Sequence, residues 1–304
     1  MLAVYDDPSM VVDRETAELV RAPSRSIAAA AALAATLIGA TPQAKAAPPW
    51  VDRQLTLPDG DFALDFGVGF GHEGGSPPAP DRGSAGFNAE MAVGLTDRVE
   101  LGLRTGVRSG GDAERGAIQA DTFGRLFDRQ TFDAGSDVFA NPELRVRGVL
   151  VRARAFELGV EGRLVLPLAP GADAGVLFGV PMALHLGPHV RVDFGAYVPL
   201  VFQRPTASAL LSVPVDLWIQ ASRRLWLGPM SGLVINPRSG PIPGSPLLPG
   251  PGPLPGEASV SLGFGLGYAI THYLDFKAML LLPAVNRGDP SVFGGGAGIE
   301  LRVE

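Results

Sequence analysis

Few residues in this chain could carry chemistry. It has four histidines, His72, His185, His189 and His272, and no cysteine among 304 residues. Without cysteine there is no disulfide frame, no thiolate zinc site, no thiol nucleophile and no processed cysteine to take a lipid anchor. His185 and His189 stand four apart, but across a turn at Gly187-Pro-His189 and not along a helix, so they do not make a metal pair. Asp112, Glu114, Asp121, Asp128, Asp133 and Asp137 crowd one stretch without the spacing of a calcium loop, and read as solvating it. Gly263, Gly265 and Gly267 have the Gly-x-Gly form. They fall inside strand alternation with no helix after them, which removes a phosphate cradle. No catalytic, cofactor or metal site is expected.

What remains is a set of charges embedded in apolar sequence: Glu90, Glu100, Arg104, Glu143, Arg145, Arg147, Glu157, Glu161, Arg163, Arg191 and Asp193. Gathered on one surface, they could select a passing solute, or they could satisfy one another as cross-strand ion pairs. Which applies depends on the elements that hold them. Composition narrows those elements. Forty Gly and 28 Pro disfavour a helical protein, while 46% hydrophobic residues and a mean hydropathy of +0.20 are too apolar for disorder. A net charge of −6 and a pI near 5.3 offer no basic field for nucleic acid.

The recurring pattern is strict alternation, the period-2 signal of strands with two unlike faces. Over residues 98–108, Val99, Leu101, Leu103, Thr105 and Val107 point one way. Glu100, Gly102, Arg104, Gly106 and Arg108 point the other. Residues 87–95 alternate likewise, and Thr96-Asp97-Arg98 joins the two as a hairpin. Further hairpins are expected at 144–151 with 156–168, 176–186 with 190–202, 207–219 with 225–235, and 260–270 with 274–282. A first strand at 62–70 and a last at 293–303 bring the count to about twelve. Every second connection is a turn of two to four residues, and the others include the long segments 71–84, 109–140, 236–257 and 284–291.

The start of the chain reads differently. Arg21 and Arg25 precede an apolar run over 27–40, followed by small residues at Ala44 and Ala46, the pattern of a secretory signal peptide cleaved near Ala46. That run is too short to span a bilayer as a helix. Residues 1–20 are acidic and do not fit a signal n-region, so translation is expected to begin nearer Met10 or Val20. The expected division is therefore 1–46 signal peptide with a 1–20 extension, 47–60 a short periplasmic lead-in, and 61–304 the folded part.

An even number of ten-residue strands, with short and long connections segregated by parity, resembles bacterial outer-membrane β-barrels. The resemblance covers nearly all of 61–304 and is one of architecture. It implies an all-β, antiparallel, up-and-down transmembrane barrel with short periplasmic turns and longer extracellular loops. It also implies lipid bilayer and lipopolysaccharide as surroundings, and the outer-membrane assembly machinery as a partner. The last strand, Gly298 to Glu304, alternates but lacks the terminal aromatic usual in such barrels. Val190, Val192, Phe194, Ala196, Val198, Leu200 and Phe202 would face lipid, opposite Arg191, Asp193, Gly195, Tyr197 and Gln203. Trp218, Trp226, Tyr268 and Tyr273, near strand ends, would sit in interfacial girdles.

The eleven charges then fall on the lumen. Opposite them Gly67, Gly69, Gly263, Gly265, Gly267, Gly294, Gly296 and Gly298 form a smooth wall that could receive an infolded loop. Segment 109–140, with Phe123, Phe127, Phe132 and Phe139, is the candidate for that loop, or else a surface loop with its own apolar cluster. The Pro/Gly-rich 236–257 is expected to be a semi-extended external loop. Some barrels of this size hydrolyse lipids with outward Ser, His and Asn, but no His here occupies an outward mid-strand position. Two functions follow. One is a narrow pore or channel for passive uptake or efflux of small solutes; the other is a non-conducting structural or adhesion barrel acting through its loops.

Overall fold

The computed structural model describes residues 48–73, 82–109, 139–167, 174–202, 207–235, 258–282, 285–287 and 293–303. The segment expected to be a signal peptide, 1–46, and the stretches 110–138 and 236–257, where long loops are expected, lie outside the described residues. Strands account for almost everything else. They are β1 (Phe62–Glu73), β2 (Arg82–Thr96), β3 (Val99–Ser109), β4 (Phe139–Ala153), β5 (Phe156–Val165), β6 (Gly175–His185) and β7 (Val190–Phe202). After these come β8 (Ala207–Ala209), β9 (Leu211–Gln220), β10 (Leu225–Ile235), β11 (Ala258–Ala269), β12 (Leu274–Leu282) and β13 (Phe293–Val303).

Each strand pairs antiparallel with its neighbours in the chain, and β1 pairs with β13 from Phe62↔Val303 to His72↔Phe293. That seam closes the sheet on itself and leaves no free edge. β8 and β9 both pair with β7 and are separated only by Leu210, so the thirteen segments make twelve staves. The connections 97–98, 154–155, 186–189, 221–224 and 270–273 gather at one end, called here the short-turn end. The opposite strand ends, among them Glu73, Ser109, Val165, Phe202, Ile235 and Leu282, make the other end, called the long-loop end after the loops expected there.

The two faces invert the rule of a soluble protein. Outward side chains are large, apolar and exposed, with Val68 at 55%, Phe178 at 61% and Leu280 at 61%. Inward ones are charged and buried, with Glu100, Arg191, Lys277 and Glu300 all at 0%. A continuous exposed apolar belt needs a hydrocarbon solvent. The fold is a closed, twelve-stave antiparallel transmembrane β-barrel.

One expectation about faces fails. Trp218 and Trp226 are not girdle residues; they point inward and are 0% and 1% exposed. Parity is the reason. Trp218 shares a face with Asp216 and Gln220, and Trp226 with Gly228 and Met230, while Val215, Leu217 and Ile219 take the outer face of β9. Tyr268 is exposed on the outside and Tyr273 is half-buried.

Candidate functional site

The interior is the only enclosed polar surface that the described staves create, and its chemistry divides it into two arcs. On β2 to β5 it is built of ion pairs. Arg145 spans two carboxylates, at 2.7 Å from Glu90 and 2.8 Å from Glu100. It can reach β2 because its partner across the β3–β4 ladder is Gly102, where a Cβ would lie 3.1 Å from the guanidinium. Glu161 takes Arg147 on one side at 2.5 Å and Arg163 on the other at 2.6 Å, and Arg163 extends to Glu143 at 3.4 Å. Arg104 stands in register between Glu90 and Glu143. All of these side chains are less than 7% exposed. Arg145 and Arg163 oppose each other directly, and each leans away to its own carboxylates.

The second arc, β9 to β11, is built of rings and glycine. The rings of Trp218 and Trp226 lie against the glycines of β11. A Cβ on Gly265 would meet Trp218 at 2.6 Å, and one on Gly267 would meet Trp226 at 2.1 Å. At these two glycines the expected smooth wall is occupied by the tryptophans of β9 and β10; the segment expected to fold into it, 109–140, lies almost wholly outside the described residues. Below it Lys277 pairs with Asp65 and, at 3.0 Å, with Glu300, which also holds Arg302 at 2.5 Å. At the long-loop end Val165, Leu177, Tyr197 and Leu210 form a separate apolar cluster, with Val234 packed on it.

Residues 50–57, ahead of β1, cross the mouth at the short-turn end and touch staves from β3 round to β12. Trp50 stacks on Trp226 at 5.0 Å with an interplanar angle of 4°, and meets Trp218 edge-on at 5.9 Å. The Arg53 guanidinium lies 5.0 and 5.3 Å from the Trp50 and Trp226 ring centres and pairs with Asp275 at 2.6 Å. Burial pushes that guanidinium down to about 10, still protonated at neutral pH. Leu55 packs with Val149 and Ala183, and Leu57 with Ala63 and Ala92. Gly60, at φ +80°, then turns the chain into β1.

The segment's backbone is held by side chains of the lumen. The Val51 N–H donates to Gln220 Oε1 at 3.4 Å, that of Leu55 to Glu157 Oε2 at 3.0 Å, and that of Leu57 to Glu100 Oε2 at 2.8 Å. In the other direction Arg191 donates to the Arg53 carbonyl, and Arg147 to that of Leu55 at 3.2 Å. His185 Nδ1 lies 2.6 Å from the Val51 carbonyl, while its Nε2 is 3.7 Å from Glu157. Arg152 reaches the Thr56 hydroxyl at 2.8 Å. Arg191 also holds Asp193 at 2.7 Å. Of the eleven charges singled out in the sequence, Glu100, Arg147, Glu157 and Arg191 thus bind the segment directly. The others pair with each other or stand in register beside those that do.

Residues 47–60, a lead-in by their sequence, are thus part of the barrel's interior at the short-turn end from Trp50 to Leu57. The sequence carries a signal of it. Val51, Arg53 and Leu55 are buried and alternate with exposed Asp52 and Gln54, and Thr56 and Leu57 are buried after them, the pattern of a half-covered segment. Beside the segment a polar recess of about 820 Å³ opens at the short-turn end, lined by Asp52, Gln54, Arg152, Arg154, Glu157 and His185. Among the described residues no group of three or more His, Asp or Glu is placed to hold a metal ion.

Two solved structures resemble this chain over most of their own length. One is an outer membrane channel from Pseudomonas putida F1, with a TM-score of 0.53 and 11% identity, covering 81% of this chain and 97% of that one. The other is the NanC porin, with a TM-score of 0.51 and 7% identity, covering 78% and 98%. No family model matches the chain, and no curated protein matches it in sequence. At these identities the likeness is one of fold: the chain has the barrel architecture of outer-membrane porins and channels.

Proposed function

We propose that this protein is an outer-membrane channel through which small solutes move passively, with no catalytic step. The observation that carries the reading is the inversion of faces in a closed barrel: an exposed apolar belt outside, and a polar interior on every stave from β1 to β5. Eight staves enclose a space that side chains fill and sixteen leave a wide aqueous channel, so twelve suit a narrow one. The fold likeness to porins and channels points the same way. On this reading residues 1–46 direct export and are removed near Ala46, the assembly machinery inserts the barrel, and the outer belt meets bilayer and lipopolysaccharide.

The segment across the mouth gives a second reading its own support. A barrel whose short-turn end is crossed by its own chain could be a non-conducting scaffold or adhesin that acts through its long loops. Single-channel recording in planar bilayers decides between the two. Discrete conductance steps are expected for the channel, and silence across salts and voltages would favour the scaffold. Arg163→Ala then separates the roles of the charges. Altered ion selectivity would make the pair with Glu143 a solute filter, and unchanged selectivity would make it structural.

A further inference from the structure

Besides the packing of Trp50, Leu55 and Leu57, residues 50–57 make the polar contacts of a bound peptide. Three backbone N–H groups go to side-chain acceptors on β3, β5 and β9, and backbone carbonyls meet Arg147, Arg191 and His185. The segment opens with a single 3-10 turn at Trp50–Asp52 and then runs without regular structure to Leu57. Side chains that ligate a backbone of this kind at residues 51, 53, 55 and 57, with pockets for its side chains, are how proteins hold short peptides. Here the pockets are the Trp218–Trp226 corner for Trp50, Asp275 for Arg53, and the Val149–Ala183 surface for Leu55. None of this is needed to close the barrel, because the β1–β13 seam does that by itself. The ligating groups project from rigid staves, so the site would persist if the segment left.

We infer that the short-turn mouth is a binding site for a short aromatic–cationic peptide, and that residues 50–57 are its resident, displaceable occupant. The inference rests on the channel reading only for its consequence, which is that the occupant blocks flow from within. Displacement needs no change in the sheet. With cleavage near Ala46 as proposed, the segment is tethered firmly only at its β1 end, by the turn at Gly60, and the recess of about 820 Å³ beside Asp52 and Gln54 gives a competing chain an approach. Water can replace the backbone groups on Glu100, Glu157 and Arg191 once the segment leaves, as in any aqueous lumen.

The test uses the full chain lacking residues 48–57, with folding checked by heat-modifiable gel migration, and a labelled synthetic peptide of residues 47–60. The peptide is expected to bind the deleted barrel saturably. A Trp50→Ala/Arg53→Ala version should bind at least tenfold more weakly, and the peptide should not bind the intact protein, whose site is filled. In bilayers the deletion is expected to raise conductance several-fold, and peptide added at the short-turn side to lower it again. A folded deletion variant that does not bind the peptide, or binds both versions equally, overturns the site. If the peptide binds but neither protein conducts, the channel reading fails while the site stands. If both conduct equally and peptide has no effect on current, the blocking role is overturned. Should the deletion not fold, Trp50→Ala/Arg53→Ala in the intact chain is read the same way, with higher conductance and uptake of the wild-type peptide expected.

Discussion

The two arcs of the barrel wall fill their interior by opposite means. From β2 to β5 the space is taken by charges, and each group depends on a partner from another stave or two residues along its own. From β9 to β11 it is taken by shape, with indole rings lying on glycines that leave room for them. A charged wall is specific because a buried member left without its partner is costly. A ring-on-glycine wall is specific because the backbone beneath cannot give way. The first is sensitive to what is removed, the second to what is added.

Substitutions can break that contrast. Glu161→Ala would strip two arginines at once and should cost the largest amount, about 3–5 kcal/mol for a buried pair broken on one side, read as a lower denaturant midpoint of the detergent-folded barrel. A loss below 1 kcal/mol would mean that water already stabilises these arginines. Gly267→Val adds rather than removes. Its Cβ would lie 2.1 Å from the Trp226 ring, and overpacking of this kind costs about 1–3 kcal/mol. The displaced indole should shift tryptophan emission to the red, and unchanged emission would contradict the ring-on-glycine contact.

Arg53→Ala belongs to the seam between the arcs. Loss of the stacking on two indoles is worth about 1–2 kcal/mol, and the expected signature is faster protease cleavage within 50–57 with the strands intact. Tyr268→Leu, on the exposed outer face, should change stability by less than about 0.5 kcal/mol and leave emission unaltered. A larger effect there than from Arg53→Ala would return the structural weight to the outer aromatics.

Most of the barrel was legible because a strand with lipid on one side and water on the other has to alternate. β7, β10, β12 and β13 begin and end at the residues the alternation marks. The inward placement of Trp218 was legible too, since it is in phase with Asp216, but the association of Trp with interfacial girdles outweighed parity. β4 begins earlier than its apolar run, at Phe139, because its ladder with β3 continues past a shift in register between Arg104 and Gly106. The covering of residues 50–57 was hardest to see. Its alternation marks a half-covered segment, but its partners, from Glu100 to Asp275, lie on staves far along the chain, and no local pattern names them.

The seam between β1 and β13 also sets an order in time. Val51 and Gln220 are 169 residues apart in the chain, and Asp65 and Lys277 are 212 apart. Contacts over such spans form slowly, because the intervening loop must close before they return any stability. The part of the barrel that is synthesised first must therefore wait for the part synthesised last. Until β12 and β13 are in place, Trp50 and Arg53 lack a complete corner to enter. A barrel folding this way passes through an interval in which most of its staves are formed and residues 50–57 have not yet docked across the mouth.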